Sequence, residues 1–457
     1  MTLLQKTKSV FAKKQVDPDN PEMPSYFIPG ALVTVLFFLW GFSYGLLDTL
    51  NKHFQNVLHI TTTQTTFMQV AYFGAYFVFS IPAGMISKRF GYKRAIIFGL
   101  ALYVIGAIGF YPSAVTLQYG GFVASLFVIA CGLATLENCA NTYIAIIGSR
   151  KWAPFRINVA QAFNGIASAV APVIASYAFF GGDEGATDSL ETVKWTYIGV
   201  ACGVFVIGVL FCFAKIPEVD EEAMMAAEAL ATGVTIRRAS LASPHLLLGA
   251  LAQFCYTGAQ VCVASLFIFY GNEVGGFKDS YSSQLLSYGQ LCFTVGRIFG
   301  AILLRKFRAD HLMAVFSACA SIINIFVIAM RTPKTTYSLL ALLFFESVMY
   351  PTIFALATRD LGRNYKRGAS MVIMGVGGGA LLPPVQAAIK DSVGIHISFV
   401  IPLIAYVYVL FYAIWGCHIV RYVDEPVDVE EFGDGKPQIS QIELESSSFE
   451  KTQVSHK

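Results

Sequence analysis

Apolar residues gather into runs of about twenty, the length needed to cross a bilayer as a helix. These runs recur along the whole chain. Twelve can be drawn, at roughly 27–51, 66–87, 95–113, 120–147, 155–180, 195–214, 245–270, 284–304, 311–330, 337–358, 369–389 and 396–420. Short basic or polar stretches separate them, and Gly and Pro fall inside several. The pattern predicts an all-α membrane protein of twelve transmembrane helices. A longer gap after the sixth run, "PEVDEEAMMAAEALATG", is acidic and Ala/Glu-rich, a composition that favours a surface helix. It divides the chain into a polar N-terminal tail (1–26), a first six-helix bundle (27–214), an inter-bundle loop (215–243), a second six-helix bundle (244–421) and an acidic, Ser-rich tail (422–457) that reads as disordered.

Composition supports this reading. Of 457 residues 55% are hydrophobic and 13% charged, against roughly 25% charged in soluble domains. No short apolar segment precedes the first span, so a cleaved signal peptide is not expected. The nine Cys all fall inside predicted spans without metal spacing, which reads as inert, buried thiol. No metal site is expected, and no cofactor.

The remaining charge is unevenly placed. With both termini inside, the inner loops hold Lys88, Arg89, Lys93 and Arg94; Arg150, Lys151 and Arg156; Lys215, Arg237 and Arg238; Arg305, Lys306 and Arg308; and Arg359, Arg363, Lys366 and Arg367. The outer side holds Lys52, Lys194, Lys278, Arg331, Lys334 and Lys390. Lys and Arg accumulate on the cytoplasmic side, so both termini are expected there. Beyond these loops there is no basic patch for nucleic acid, and "GVGGG" lies inside a span without a Walker lysine, so an enzyme or nucleotide-binding reading has no support.

Four ionisable residues interrupt the spans: Asp48, Glu137, Arg297 and Glu346. A charge within a span costs roughly 3 kcal/mol on insertion scales, so such residues are expected to face a water-filled cavity or one another. Helical spacing gives them neighbours. Trp40, Tyr44 and Asp48 share a face of the first span, Glu137 and Asn141 of the fourth, Gln161 and Asn164 of the fifth, and Gln253, Tyr256 and Gln260 of the seventh. Amides and carboxylates hydrogen-bond hydroxyls, and a ring packs on the apolar face of a pyranose. The set therefore suits a sugar. The amides serve equally to join helices, the rings to pack or to anchor at the interface. Arg297 and Glu346 are either an ion pair or, separately, a ligand contact and a second acid.

Each half also carries traces of the other. Glu137 aligns with Glu346 at an offset of 209, which places Asn141 on Tyr350; "APV" at 171–173 matches "PPV" at 383–385. Six plus six spans related as weak repeats are the plan of the major facilitator superfamily, in which a central cavity opens to alternate sides.

The stretches "FFLWGFSYGLLDTL", "PAGMISKRFGYKRAII", "GLATLENCAN", "FRINVAQAFN", "LAQFCYTGAQ", "GRIFGAILLRKF", "YPTIFALATRDLG" and "GGGALLPPV" resemble the fucose–galactose–glucose/proton symporter family of that superfamily. The resemblance runs from about 36 to 385. It implies Asp48 and Glu137 as proton-coupling carboxylates, and Gln161 and Asn164 as sugar contacts. Trp40, Tyr44, Asn141, Tyr256, Gln260 and Tyr350 complete the expected substrate site. It further implies a plasma-membrane symporter that imports a monosaccharide, L-fucose or a related hexose, with protons as the coupling ion. Fucose-transporting members carry Asn in the first span where this chain has Tyr44, Gly45 and Leu47. The partners expected are the sugar, protons and the lipid bilayer, with the chain a monomer. The alternatives are an uncoupled facilitative carrier and a membrane sugar sensor.

Overall fold

The computed structural model describes residues 23–58, 62–147, 152–180, 191–214, 216, 238–361 and 364–423. Among them are twelve long helical segments. The first six are α1 (Met23–Leu58), α2 (Thr62–Phe90), α3 (Tyr92–Val115), α4 (Tyr119–Ile146), α5 (Ala153–Phe180) and α6 (Glu191–Phe213). The last six are α7 (Pro244–Glu273), α8 (Asp279–Leu303), α9 (Ala309–Ala329), α10 (α10a, Pro333–Glu346, and α10b, Met349–Ala357), α11 (α11a, Tyr365–Met374, and α11b, Gly378–Val393) and α12 (α12a, Ile395–Ser398, and α12b, Val400–Ile414). Eleven of these segments are long and apolar enough to cross a membrane by the described residues alone. α5 is the remaining one. The helices run past the apolar runs that announced them: α1 begins at Met23, ahead of its run, and continues beyond it through the polar stretch 51–57.

The packing repeats with a period of six helices. α1 lies on α5 as α7 lies on α11; α3 lies on α4 and α6 as α9 lies on α10 and α12; α2 lies on α4 as α8 lies on α10. The two sets meet along α5 with α8 and along α2 with α11, again as equivalent pairs. Apolar side chains face outward from this assembly, among them Val78, Ile105, Phe205, Val295 and Ile404, as a lipid-facing surface requires. The chain is a multi-pass membrane protein.

Sequence punctuation sets where the helices stop. Gly91 sits at φ 84° between α2 and α3, and Gly394 at φ 99° between α11 and α12, a region that a Cβ disfavours. Pro244 and Pro333 each open a helix, where the missing N–H costs nothing. α11 is interrupted by a single 3₁₀ turn at Gly375–Gly377. Its glycines also permit close approach. A Cβ on Gly378 would lie 1.9 Å from the Phe254 carbonyl oxygen on α7, and one on Gly379 2.8 Å from the Phe73 ring on α2. The Gly run therefore both interrupts the helix and permits tight packing.

One short antiparallel ribbon lies outside the helices. β1 (Arg238–Ala239) pairs with β2 (Tyr422–Val423). It joins the chain entering α7 to the chain leaving α12, so these first two residues of the expected tail are ordered into a ladder. The rest of that tail, the expected surface helix in the inter-bundle loop and residues 1–22 of the N-terminal tail lie outside the described residues, while the last four residues of that expected N-terminal tail, 23–26, belong to α1.

Candidate functional site

The polar side chains of the spans converge where the two sets of helices meet. Glu137, on α4, is buried and one of its oxygens, Oε1, accepts two hydrogen bonds: one from the Tyr350 hydroxyl on α10b, the other from Asn141 Nδ2 at 3.4 Å. Asn141 Oδ1 accepts from Gln161 Nε2 on α5 at 3.4 Å. Gln161 accepts from Arg297 Nη1 on α8, through its backbone oxygen at 2.6 Å and its Oε1 at 3.3 Å. The same nitrogen donates to Asn164 Oδ1 at 3.0 Å, while Arg297 Nε donates to the Ser347 carbonyl at 3.3 Å. The network thus begins and ends on α10, having passed through α4, α5 and α8. Ser347 lies in the break between α10a and α10b, where carbonyls lose their helical partners, so the guanidinium caps an interrupted helix.

Aromatic rings close around this network. Tyr350 packs against Trp40 of α1 at 5.9 Å between centroids and against Tyr256 of α7 at 6.2 Å. Arg297 lies over the Phe293 ring at 4.5 Å, a favourable cation–π placement. Several buried polar atoms here have no hydrogen-bond partner: Glu137 Oε2, Trp40 Nε1, and the hydroxyls of Tyr72, Tyr76 and Tyr256. Buried polar atoms are nearly always paired, so this cluster is equipped to receive a hydroxyl-bearing ligand or water.

The structure brings together Glu137, Asn141, Gln161, Asn164, Arg297, Tyr350, Trp40 and Tyr256 from the sequence-derived set. Tyr44 adjoins them, with its ring 6.3 Å from Phe73. Gln260 is half-buried one turn further along α7 and takes no part in the network. The Asp48 side chain lies outside the described residues. Arg297 and Glu346 make no ion pair with each other: the guanidinium is taken up by Gln161, Asn164 and Ser347, and Glu346 Oε2 accepts from Tyr406 Oη at 2.5 Å. Tyr72 and Tyr76 of α2, whose hydroxyls interact electrostatically with Glu137, escape the sequence reading. Their i, i+4 spacing was the available signal.

From the network toward the basic loops, the two sets are in close contact. A Cβ on Gly84 of α2 would lie 1.7 Å from Ser370 Oγ of α11. Asn138 Nδ2 donates to Ser370 Oγ at 2.6 Å. Lys366 Nζ stands 4.0 Å from the Tyr92 ring centroid, and Arg305 Cζ 4.6 Å from that of Phe155. Each pair joins one set of helices to the other.

A repeated six-helix plan, an apolar outer surface and a polar centre shared by both sets describe a membrane transporter. The chain belongs to the Major Facilitator Superfamily, whose model matches residues 33–382. It is 34% identical over 389 residues to a glucose/galactose transporter of Brucella abortus, covering 84% of this chain and 93% of that one. It is 30% identical over 419 residues to the L-fucose-proton symporter of Escherichia coli, covering 88% and 95%. Among solved structures it is similar to the transporter FucP in the outward conformation, with a TM-score of 0.73, 29% identity and coverage of 86% of this chain and 99% of FucP. The fold and the relatives are those of transporters, not of enzymes.

Proposed function

We propose that this protein is a proton-coupled secondary active transporter importing a monosaccharide, L-fucose or a related hexose, by alternating access across the plasma membrane. Residues 27–214 and 244–421 are the two bundles that rock about the central site, with both termini cytoplasmic. The basic loops then mark the cytoplasmic side, and the contacts at Gly84–Ser370, Lys366–Tyr92 and Arg305–Phe155 form a cytoplasmic closure. The names of the relatives and the outward conformation of FucP support this reading.

The observation that carries it is Glu137: a buried carboxyl with one oxygen bonded across to Tyr350 and the other unpartnered. An isolated buried carboxylate costs several kcal/mol, so proton binding and loading are linked. Protonated, Glu137 adds a donor to a site rich in acceptors, and Trp40, Tyr256 and Tyr350 offer ring faces to the sugar. Asn141, Gln161 and Asn164 supply amide donors and acceptors for its hydroxyls. Asp48, further along the first helix, is the second proton-coupling carboxyl. Opening toward the cytoplasm separates Tyr350 from Glu137 and admits water, the acids lose their protons, and the sugar leaves.

The test uses purified protein in liposomes with labelled L-fucose, D-galactose and D-glucose. One of these should accumulate under an inward proton gradient, and a protonophore should abolish the accumulation. Uptake indifferent to the protonophore would mean a facilitative carrier.

A further inference from the structure

Glu346 has no task in the mechanism above. It is wholly buried near the middle of α10, with Oε2 accepting from Tyr406 Oη and Oε1 without any partner. The titratable and charged groups facing it are Tyr406 from α12, Tyr256 from α7 and Arg297 from α8. α9, which also packs on α10, contributes none. By the internal repeat Glu346 is the counterpart of Glu137, and it stands at a similar depth. Glu137 is nine residues from the end of α4 and Glu346 eleven from the end of α10b, about 14 and 17 Å of helix.

Charge balance sets the constraint. Arg297 is electrostatically coupled to both carboxyls, yet one guanidinium balances only one negative charge. Two ionised carboxylates around it would leave an uncompensated buried charge, which is strongly disfavoured. One of the two acids must therefore hold a proton. In this structure Arg297 is directed to Gln161 and Asn164, the amides of the Glu137 side, and bonds only the backbone next to Glu346.

We infer that Glu346 is a further proton-carrying site beside Glu137 and Asp48, the one in the C-terminal set of helices, with Arg297 as its state-dependent counterion. While Arg297 is bound to Gln161 and Asn164, Glu346 is a neutral acid. When α5 separates from α8, the guanidinium loses those partners and pairs with Glu346, one residue from the Ser347 carbonyl it already holds. The carboxyl then passes its proton to water entering from the side of the basic loops, leaving carboxylate and hydronium. Return of Arg297 to α5 restores the neutral acid. This rests on the proton-coupled reading.

The full-length protein in liposomes tests it. The number of protons moved per sugar is read from the sugar gradient sustained at a set pH difference, with whichever of L-fucose, D-galactose and D-glucose the wild type accumulates. Glu346→Gln should lower that number by one while sugar counterflow continues. Tyr406→Phe should shift the pH profile of uptake and leave the number unchanged. Infrared difference spectra should show a protonated-carboxyl band that Glu346→Gln removes. Should the glutamine variant fold poorly, Glu346→Asp should keep the wild-type number and displace that band. A wild type that couples protons, with an unchanged ratio and an unchanged band in Glu346→Gln, overturns this inference alone. A wild type that moves no protons overturns the proton-coupled reading first.

Discussion

Tyr350 donates its hydroxyl hydrogen to Glu137 across 213 positions of sequence and from one set of six helices to the other. In the alternating-access cycle proposed above, this bond breaks when the sets part on that side. Hydrogen bonds to charged groups contribute about 1.5–3 kcal/mol. Tyr350→Phe should therefore change apparent sugar affinity by about tenfold or more, one decade corresponding to about 1.4 kcal/mol. Equilibrium binding to purified protein measures it. Glu137→Gln should instead abolish gradient-driven accumulation and spare counterflow. Full accumulation by Glu137→Gln would falsify its role in coupling.

Gly84 and Ser370 approach closely enough that a single methyl group has no room. Gly84→Ala should cut uptake several-fold by opposing closure. Combining it with Ser370→Gly removes the obstructing hydroxymethyl group and should restore uptake to the level of Ser370→Gly alone. Failure of that rescue would place the effect in helix stability rather than in contact between α2 and α11.

Arg297 bonds four oxygens on two helices and lies over Phe293. A lysine keeps the charge and loses the planar fork. Arg297→Lys should insert and fold, retain less than about a tenth of wild-type uptake on the same scale, and shift the pH dependence of transport. Uptake assays across pH read both.

Lys366 over Tyr92 and Arg305 over Phe155 are peripheral to the centre. A cation–π pair contributes about 0.5–1 kcal/mol at an exposed site and about 2 kcal/mol when desolvated, and the Tyr92 ring is wholly buried whereas Arg305 is exposed. Phe155→Leu should alter uptake by about two- to fivefold and Tyr92→Leu by more, and the double variant should be close to the product. A double-mutant cycle on uptake rate checks the additivity.

The spans, and the buried positions of Glu137 and Glu346 within them, were legible in the sequence because hydrocarbon imposes a fixed length and penalises charge at every residue. The pairing of Glu137 with Tyr350, of Gln161 with Arg297 and of Gly84 with Ser370 was not, since each depends on how two sets of helices meet. Helical spacing reports neighbours on one helix and is silent on those across an interface. The break in α10 was hidden for a related reason: Ser347 and Val348 carry no helix-stopping chemistry, and the guanidinium that satisfies the interruption comes from α8. The Gly run of α11, by contrast, carries the reason for its interruption in its own residues, since glycine is a poor helix former.

The ribbon between Arg238–Ala239 and Tyr422–Val423, with Ala239 N–H donating to the Asp360 carbonyl at 2.8 Å, fastens the linker at a second point. Any tug along the tether that follows α6 is thus delivered jointly to the mouth of α7, the exit of α12 and the turn after α10. The trailing six helices would then take such a pull at three places at once, instead of at their first turn alone.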